Sequence, residues 1–306
     1  MPKVVEIAHK VLGEVVANSL NTEGYSSAEE FLLHYEVIKE ANKYTIGEKN
    51  VALLKCAIIS QHLPLIKTGQ YLSQRALQRT RVLTTGSSQV DKVLGNGLYT
   101  CEVVEMYGPS GCGKSQLSFQ TAALACLKHD CNVIYVDTSS SFSSKRVSDA
   151  LRQHKVNSGK IDGILKRISV YKIFDVYQLQ DMLYGFISAA KAKSDEFSSE
   201  VKLLVIDSVT PLLTPHLGYK SKEGYKTASS VARLFRRISA ELYVAVLVIN
   251  GAVSGQTNRG FPKPALGIQW QQTADKLLLV TAFDAKVSPP AYSCQLVASR
   301  KQGLTL

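Results

Sequence analysis

Paired cysteines, clustered histidines and long apolar runs are all missing from this chain, and each absence excludes something. The six cysteines (Cys56, Cys101, Cys112, Cys126, Cys131, Cys294) form no C-x-x-C pair. Such scatter argues against a zinc site or a disulfide framework and fits buried or incidental thiols in a reducing compartment. The histidines at 9, 34, 62, 129, 154 and 216 are equally dispersed, so nothing suggests metal ligation or a catalytic triad among them. No apolar run approaches the ~18–20 residues that cross a bilayer, which sets aside a membrane association. The opening stretch MPKVVEIAHKVLGEVV is interrupted by Glu and Lys and does not read as a secretory signal. A soluble, intracellular protein is expected. Internal repeats and low-complexity tracts are lacking as well.

What is present is enough for a full core. At 306 residues, with 45% apolar and 20% charged, the chain is long enough for one large domain and a small one. The formal net charge is +11, unevenly placed: residues 1–63 carry six Lys and eight Glu, −2, and the remainder carries +13. A basic excess confined to one domain suggests a polyanionic partner, nucleic acid first, although an evenly solvated basic surface is an equal alternative on charge alone.

Residues 1–63 read as a helical domain, since EEFLLHYEVIKEA and VALLKCAII show helical apolar spacing without an extended run between them. The Tyr44–Gly47 turn offers a weak likeness to a helix-hairpin-helix connection. Residues 64–81 read as a linker, opening at Pro64 and carrying Lys67, Arg75, Arg79 and Arg81 without an acid. From residue 82 to 306 short apolar runs alternate with helix-like stretches: CEVVEMY, NVIYVD, RISVYKI, VKLLVID, YVAVLVIN and KLLLV. Runs apolar on both faces suit strands in the middle of a parallel sheet, with the helical stretches as crossovers. The fold class is α/β with a doubly covered, mostly parallel sheet; the pattern leaves the last, antiparallel portion open.

GPSGCGKS, residues 108–115, fits G-x-x-x-x-G-K-[ST] and passes from a strand run into the helical run SQLSFQTAALACLK. Gly108, Gly111 and Gly113 let the backbone curl around phosphates without a Cβ clash, Pro109, Ser110 and Cys112 fill the variable positions, and the helix N-terminus adds its dipole. Lys114 places a charge on the β/γ-phosphates and the Ser115 hydroxyl is placed to hold Mg²⁺. A carboxylate at the end of a second buried strand is also needed, and Asp207, closing VKLLVID 93 positions after Lys114, supplies it. Strand-end aspartates also serve as turn or cap residues, but the four apolar residues before this one favour the metal role. ATP and Mg²⁺ are the cofactors expected.

These residues resemble a known family. LTTGSSQVDKVLGNGLYTCEVVEMYGPSGCGKSQL, NVIYVDTSSSF, LLVIDSVTPLL and YVAVLVIN are similar to the RecA-type strand-exchange recombinases of eukaryotes and archaea, over about residues 83–280. GLYTCEV, FDVYQLQDML and KPALGIQW bring the resemblance nearest to the D-type DNA-repair paralogue of the eukaryotic recombinase. The resemblance implies a RecA-like ATPase core behind a small helical domain. It assigns Gly108–Ser115 to the triphosphate and Mg²⁺, Asp207 to the metal's hydration shell, and Arg146 to stacking on adenine. It places two DNA-binding loops at about residues 214–226 and 254–267, carrying Lys220, Lys222, Lys226, Arg259 and Lys263, with Arg233, Arg236 and Arg237 on the helix between. Residues 210–263 hold eight cations and two acids, +6, which favours single-stranded DNA as the polyanion.

Departures from the family pattern matter as much. Active recombinases have a Glu two residues after the Asp of the second strand, to activate water; here that position is Ser139. Loss of a general base typically costs ~10²–10⁴ in rate. A Gln after Asn250 is replaced by Gly251, and the Phe-x-x-Ala self-docking motif is at best Tyr71–Gln74. The chain closes at Leu306, ahead of the strand and cap elements that the family pattern expects. The resulting expectation is a nuclear recombination-mediator subunit, which binds ATP and single-stranded DNA, hydrolyses ATP weakly and assembles with other recombinase paralogues in homologous-recombination repair. A competent DNA-stimulated strand-exchange ATPase is the alternative; a P-loop small-molecule kinase is weaker, lacking an arginine-rich lid.

Overall fold

The computed structural model describes residues 4–14, 31–32, 34–41, 46–62, 68–217, 222–253, 262–267, 270, 272–284 and 291–299. The chain separates into two compact units, Met1–Gln74 and Arg75–Leu306.

The first unit contains helices α1 (Val4–Leu12), α2 (Tyr35–Ala41) and α3 (Glu48–His62). Val4, Ile7 and Ala8 on α1 and Val51, Leu54 and Ile58 on α3 fall at helical i, i+3, i+4 or i+7 spacing, and all are buried with Phe31, Ile38 and Ile46. Residues 44 and 45 of the Tyr44–Gly47 turn lie outside the described residues. Helix α4 (Gly69–Arg79) occupies most of the segment read as a linker, and the boundary between the units falls within it. Tyr71 and Leu72 of the candidate docking motif stand about half exposed on α4.

The second unit is built on a seven-stranded sheet of β1 (Val103–Tyr107), β2 (Asn132–Asp137), β3 (Ile168–Lys172), β4 (Val201–Asp207), β5 (Ala245–Asn250), β6 (Lys276–Asp284) and β7 (Ala291–Ser299). Their spatial order is β7-β6-β1-β5-β4-β2-β3. Every neighbouring pair is parallel except β6–β7. Each apolar run picked out in the sequence supplies a strand. The nine-residue β7, which the sequence left open, reads less plainly because it alternates and stays partly exposed at the sheet edge.

Both faces are covered. Leu203 and Val205 of β4 face one layer, where α5 (Ser88–Leu94), α6 (Lys114–His129), α7 (Ser144–Gln153) and α8 (Ser158–Leu165) pack. Leu204 and Ile206 face the other, under α9 (Val176–Ala192) and α10 (Lys222–Leu242). This two-sided burial is why β4 shows no polar alternation. Ser143 caps α7 by accepting from Arg146 N, and Asp175 caps α9 by accepting from Tyr177 N and Gln178 N.

The register brings the strand ends level. Tyr107 of β1 pairs with Asn250 of β5, Asp207 of β4 with Ile249 of β5, and Asp137 of β2 with Asp207. The carboxyl ends of parallel strands therefore converge on one edge, where open α/β sheets place their ligand crevice.

Candidate functional site

Between β1 and α6 the loop 108–113 turns on glycine. A Cβ on Gly108 would sit 2.0 Å from the Val280 carbonyl oxygen, a contact no side chain can make. Gly111 and Gly113 adopt φ of +77° and +82°, in the left-handed region that favours glycine. Gly113 is the N-cap of α6 and carries no side-chain cap, which leaves the first-turn N–H groups of a sixteen-residue helix for an external acceptor. Lys114 Nζ donates to Gly108 O (2.8 Å) and Pro109 O (2.6 Å), which holds the ammonium over the loop.

A cavity of about 750 Å³ opens over this loop. Gly108, Ser110, Gly111, Gly113, Lys114, Ser115, Arg146 and Asp207 all line it, so eight of the residues expected from sequence meet in one place. Pro109 contributes its carbonyl to Lys114. Cys112 differs: its side chain is buried beneath the loop in the core layer, so only its backbone belongs to the cradle. Arg146, on α7, lies with its guanidinium 4.9 Å over the Phe119 ring and donates from Nε to Gln116 Oε1 at 3.0 Å. It is thereby held flat at the cavity rim, available to a planar ring by stacking.

Asp207 also lines the cavity and is buried. Desolvation pushes its carboxyl up from the ordinary value; hydrogen bonds from Tyr135 and Ser115 pull it back down, Asp137 raises it again, and the Lys114 charge lowers it. Asp137, the second strand-end acid, is spent locally. Its oxygens accept from Ser139 N (3.1 Å), Ser141 N (3.1 Å) and Phe142 N (2.9 Å), which folds the serine-rich turn around it. Ser139 lines the cavity, its hydroxyl donating to Ser141 Oγ at 2.9 Å.

Several lining residues were not singled out from sequence: Gln116, Ser208, Thr210 and Ile249. Thr210 is part of a directed chain in which Gly251 N donates to Thr210 Oγ1 (2.7 Å) and that hydroxyl donates to Asn250 Oδ1 (2.8 Å). Asn250 Nδ2 in turn donates to Glu105 Oε1 (2.7 Å). Glu105 is buried in β1, and desolvation pushes its carboxyl up from 4.5 to about 7 against the pull of Asn250 and Trp270. Glu105 Oε2 and Trp270 Nε1 have no partner at hydrogen-bonding geometry among the described residues. The one sequence signal for this chain was the polar residue ending an apolar strand run at Asn250.

The basic residues assigned to DNA are only partly brought together. Lys226 and Arg233 lie two turns apart on one exposed face of α10 and line a shallow depression with Tyr225 and Ser229. Lys263 is exposed on a two-residue ladder with Val253. Lys222 opens α10, with its side chain outside the described residues, as are Lys220 and Arg259 altogether. Arg236 is engaged by the Thr273 and Gln272 carbonyls, and Arg237 by Glu241 Oε1 at 3.1 Å.

A strand, a glycine loop, an uncapped helix start with its lysine, and a level strand-end aspartate define a P-loop protein of the RecA-like α/β class. More narrowly, the chain belongs to the Rad51 family, whose model matches residues 77–264. It is similar to the DNA repair protein RAD51 homolog 4 of Bos taurus, 31% identical over 81% of this chain and 76% of the relative. The Mus musculus protein of the same description is 32% identical over 75% of this chain and 70% of the relative. The DNA repair and recombination protein RadB of Pyrococcus furiosus is 26% identical over 60% of this chain and 74% of its own length. Among the described residues no helix is long and apolar enough to cross a membrane.

Proposed function

We propose that this chain is an ATP- and single-stranded-DNA-binding recombinase paralogue of homologous-recombination repair, acting in the nucleus as one subunit of a heteromeric paralogue assembly and hydrolysing ATP only weakly. One observation supports the reading: Gly108, Lys114, Ser115, Arg146 and Asp207 line one cavity, and its described lining includes no carboxylate besides Asp207. The loop N–H groups and Lys114 would bind the β- and γ-phosphates, Ser115 and Asp207 would hold Mg²⁺, and Arg146 would cover the base. Bound Mg²⁺ would neutralise phosphate charge. Ser139 has no proton affinity near neutral pH, and Gly251 offers no side chain toward a γ-phosphate.

ATP held in this way acts as a ligand that stabilises the fold and its interfaces by mass action. Family membership and relatives described as DNA repair proteins support the repair role. The Tyr71–Gln74 departure from the self-docking motif supports assembly with other paralogues over self-assembly. The domain plan of an N-terminal unit, a basic connecting segment and an ATPase core belongs to the same proposal.

Steady-state ATP hydrolysis with and without single-stranded DNA, beside Lys114→Ala, tests it. Turnover at the background of that variant, together with measurable ATP binding by the unmodified protein, is expected. Fast DNA-stimulated turnover abolished by Lys114→Ala would replace this reading with a competent strand-exchange ATPase. Lys220→Ala, Lys222→Ala and Lys226→Ala combined are expected to weaken DNA binding; unchanged affinity and salt dependence would remove the DNA half.

A further inference from the structure

Asp207 does not reach the cavity unsupported. The Tyr135 hydroxyl lies 2.7 Å from Asp207 Oδ2 and 2.8 Å from Ser118 Oγ. Tyr135 comes from β2, Ser118 from near the start of α6, and both are 0% exposed, with Asp207 at 4%. The ring is fixed independently, stacked on Phe119 at 5.4 Å between centroids and tilted against Phe142 at 5.1 Å. A phenylalanine would fill the same space without desolvating a hydroxyl, so the hydroxyl is there for its partners.

Proton counting gives the contact a direction. An ionised carboxylate only accepts, a phenol has one proton, and a serine hydroxyl has one. Tyr135 must therefore donate to Asp207, and Ser118 must donate to the phenol oxygen. Ser118 Oγ is also 2.8 Å from Ser115 O, so its single proton is shared between that carbonyl and the phenol. The donor order runs from α6 through β2 to β4 and ends on Asp207 Oδ2. It couples the helix that carries Lys114 and Ser115 to the strand-end carboxylate through a buried phenol.

We propose that Tyr135 is the positioning residue for Asp207: its hydroxyl donates to Oδ2 and fixes the orientation in which the carboxylate meets the hydration shell of a divalent cation accompanying the nucleotide. The proposal rests on the nucleotide reading given above, and adds to it a residue that never touches the ligand.

Tyr135→Phe keeps the ring and removes only the donor. In the full-length protein, binding of a fluorescent ATP analogue would be titrated with Mg²⁺, and separately measured in EDTA, for wild type, Tyr135→Phe, Asp207→Asn and the double variant. The expected result is a roughly tenfold rise in the Mg²⁺ concentration at half-saturation for Tyr135→Phe, in keeping with a lost hydrogen bond to a charged group. Affinity in EDTA should stay within about twofold of wild type, and the double variant should be no worse than Asp207→Asn, because two residues acting as one unit are not additive. An unchanged Mg²⁺ requirement would overturn the proposal, as would an equal loss with and without metal, which would mark Tyr135 as a packing residue. A wild-type protein that binds no ATP in either condition would overturn the nucleotide reading itself, and this inference with it.

Discussion

The two walls of the cavity differ in how completely they are built. The wall over β1 and α6 is made of backbone, with glycines at +77° and +82°, an uncapped helix start and a lysine tied to two carbonyls. The wall over β2 and β5 is made of short side chains: Ser139 beside Asp137, and Gly251 beside Asn250. In the proposed function the first wall would hold phosphate by geometry that any residue with a Cβ would disturb at Gly108. In the same proposal the second would keep the shape of a reaction chamber without its chemistry. On that proposal ligand affinity could be kept and turnover lost independently, because the two would depend on different strands.

The largest effect should come from putting the chemistry back. Ser139 is exposed to the cavity, and a Cβ at Gly251 would meet Thr210 and Ala265 at 3.4–3.6 Å, ordinary contact distances, so both positions can take a side chain. Ser139→Glu combined with Gly251→Gln is expected to raise ATP turnover by about 10² or more, the scale of a general base. Steady-state hydrolysis measures it. No gain, with nucleotide affinity intact, would mean that the second wall is silent for some reason other than its missing side chains.

Next in size is the buried acid behind that wall. Glu105 is raised from 4.5 to about 7 by burial. The folded protein therefore binds a proton that the unfolded chain has released, and stability falls as pH rises from about 4.5 to about 7. A carboxyl pKa raised by one is worth about 1.4 kcal/mol, so the full loss above pH 7 is about 3 kcal/mol. Glu105→Gln keeps an acceptor for Asn250 Nδ2 and has nothing to ionise. It should match the parent near pH 4.5 and exceed it by about 3 kcal/mol at pH 8 in urea unfolding. Parallel pH profiles would show that Glu105 is stabilised as a carboxylate by something other than Asn250.

The first wall gives a smaller change. Lys114→Ala removes one charged donor but leaves the loop N–H groups, and ATP affinity should fall about 10- to 100-fold, the worth of a charge-assisted bond. A loss under threefold in equilibrium titration would mean the backbone holds the phosphates almost alone.

How much of this was legible in the sequence depended on whether a feature was local. The glycine turn was legible because eight consecutive residues carry it, and the place of Asp207 at a buried strand end because an apolar run ends on it. The sheet was readable because central strands buried on both faces lose polar alternation, whereas β7, antiparallel and partly exposed at the edge, did not stand out. That the Cys112 side chain turns into the core was not legible, because a pattern fixes position along the chain and not the direction of a side chain. The chains Ser118–Tyr135–Asp207 and Glu105–Asn250–Thr210 join residues up to 145 positions apart, and only the parallel register sets them level. Nothing periodic announces such a contact.

The smallest effect asks whether the contrast extends past the cavity, since a chain that keeps its ligand-holding wall ought also to keep its polyanion-holding surface. Lys226 and Arg233 share an exposed face of α10, on the sheet face opposite α8. Each cation that neutralises a phosphate of single-stranded DNA contributes about 0.7 to the slope of log affinity against log salt. Lys226→Ala and Arg233→Ala should each lower that slope by about this amount and weaken binding a few-fold, measured by fluorescence anisotropy over a salt series. Lys160→Ala, an exposed cation on α8, should leave it unchanged. If all three act alike, DNA is held by overall charge alone; if none does, the basic excess of the second unit serves another partner, and the ligand-holding surface ends at the rim of the nucleotide cavity.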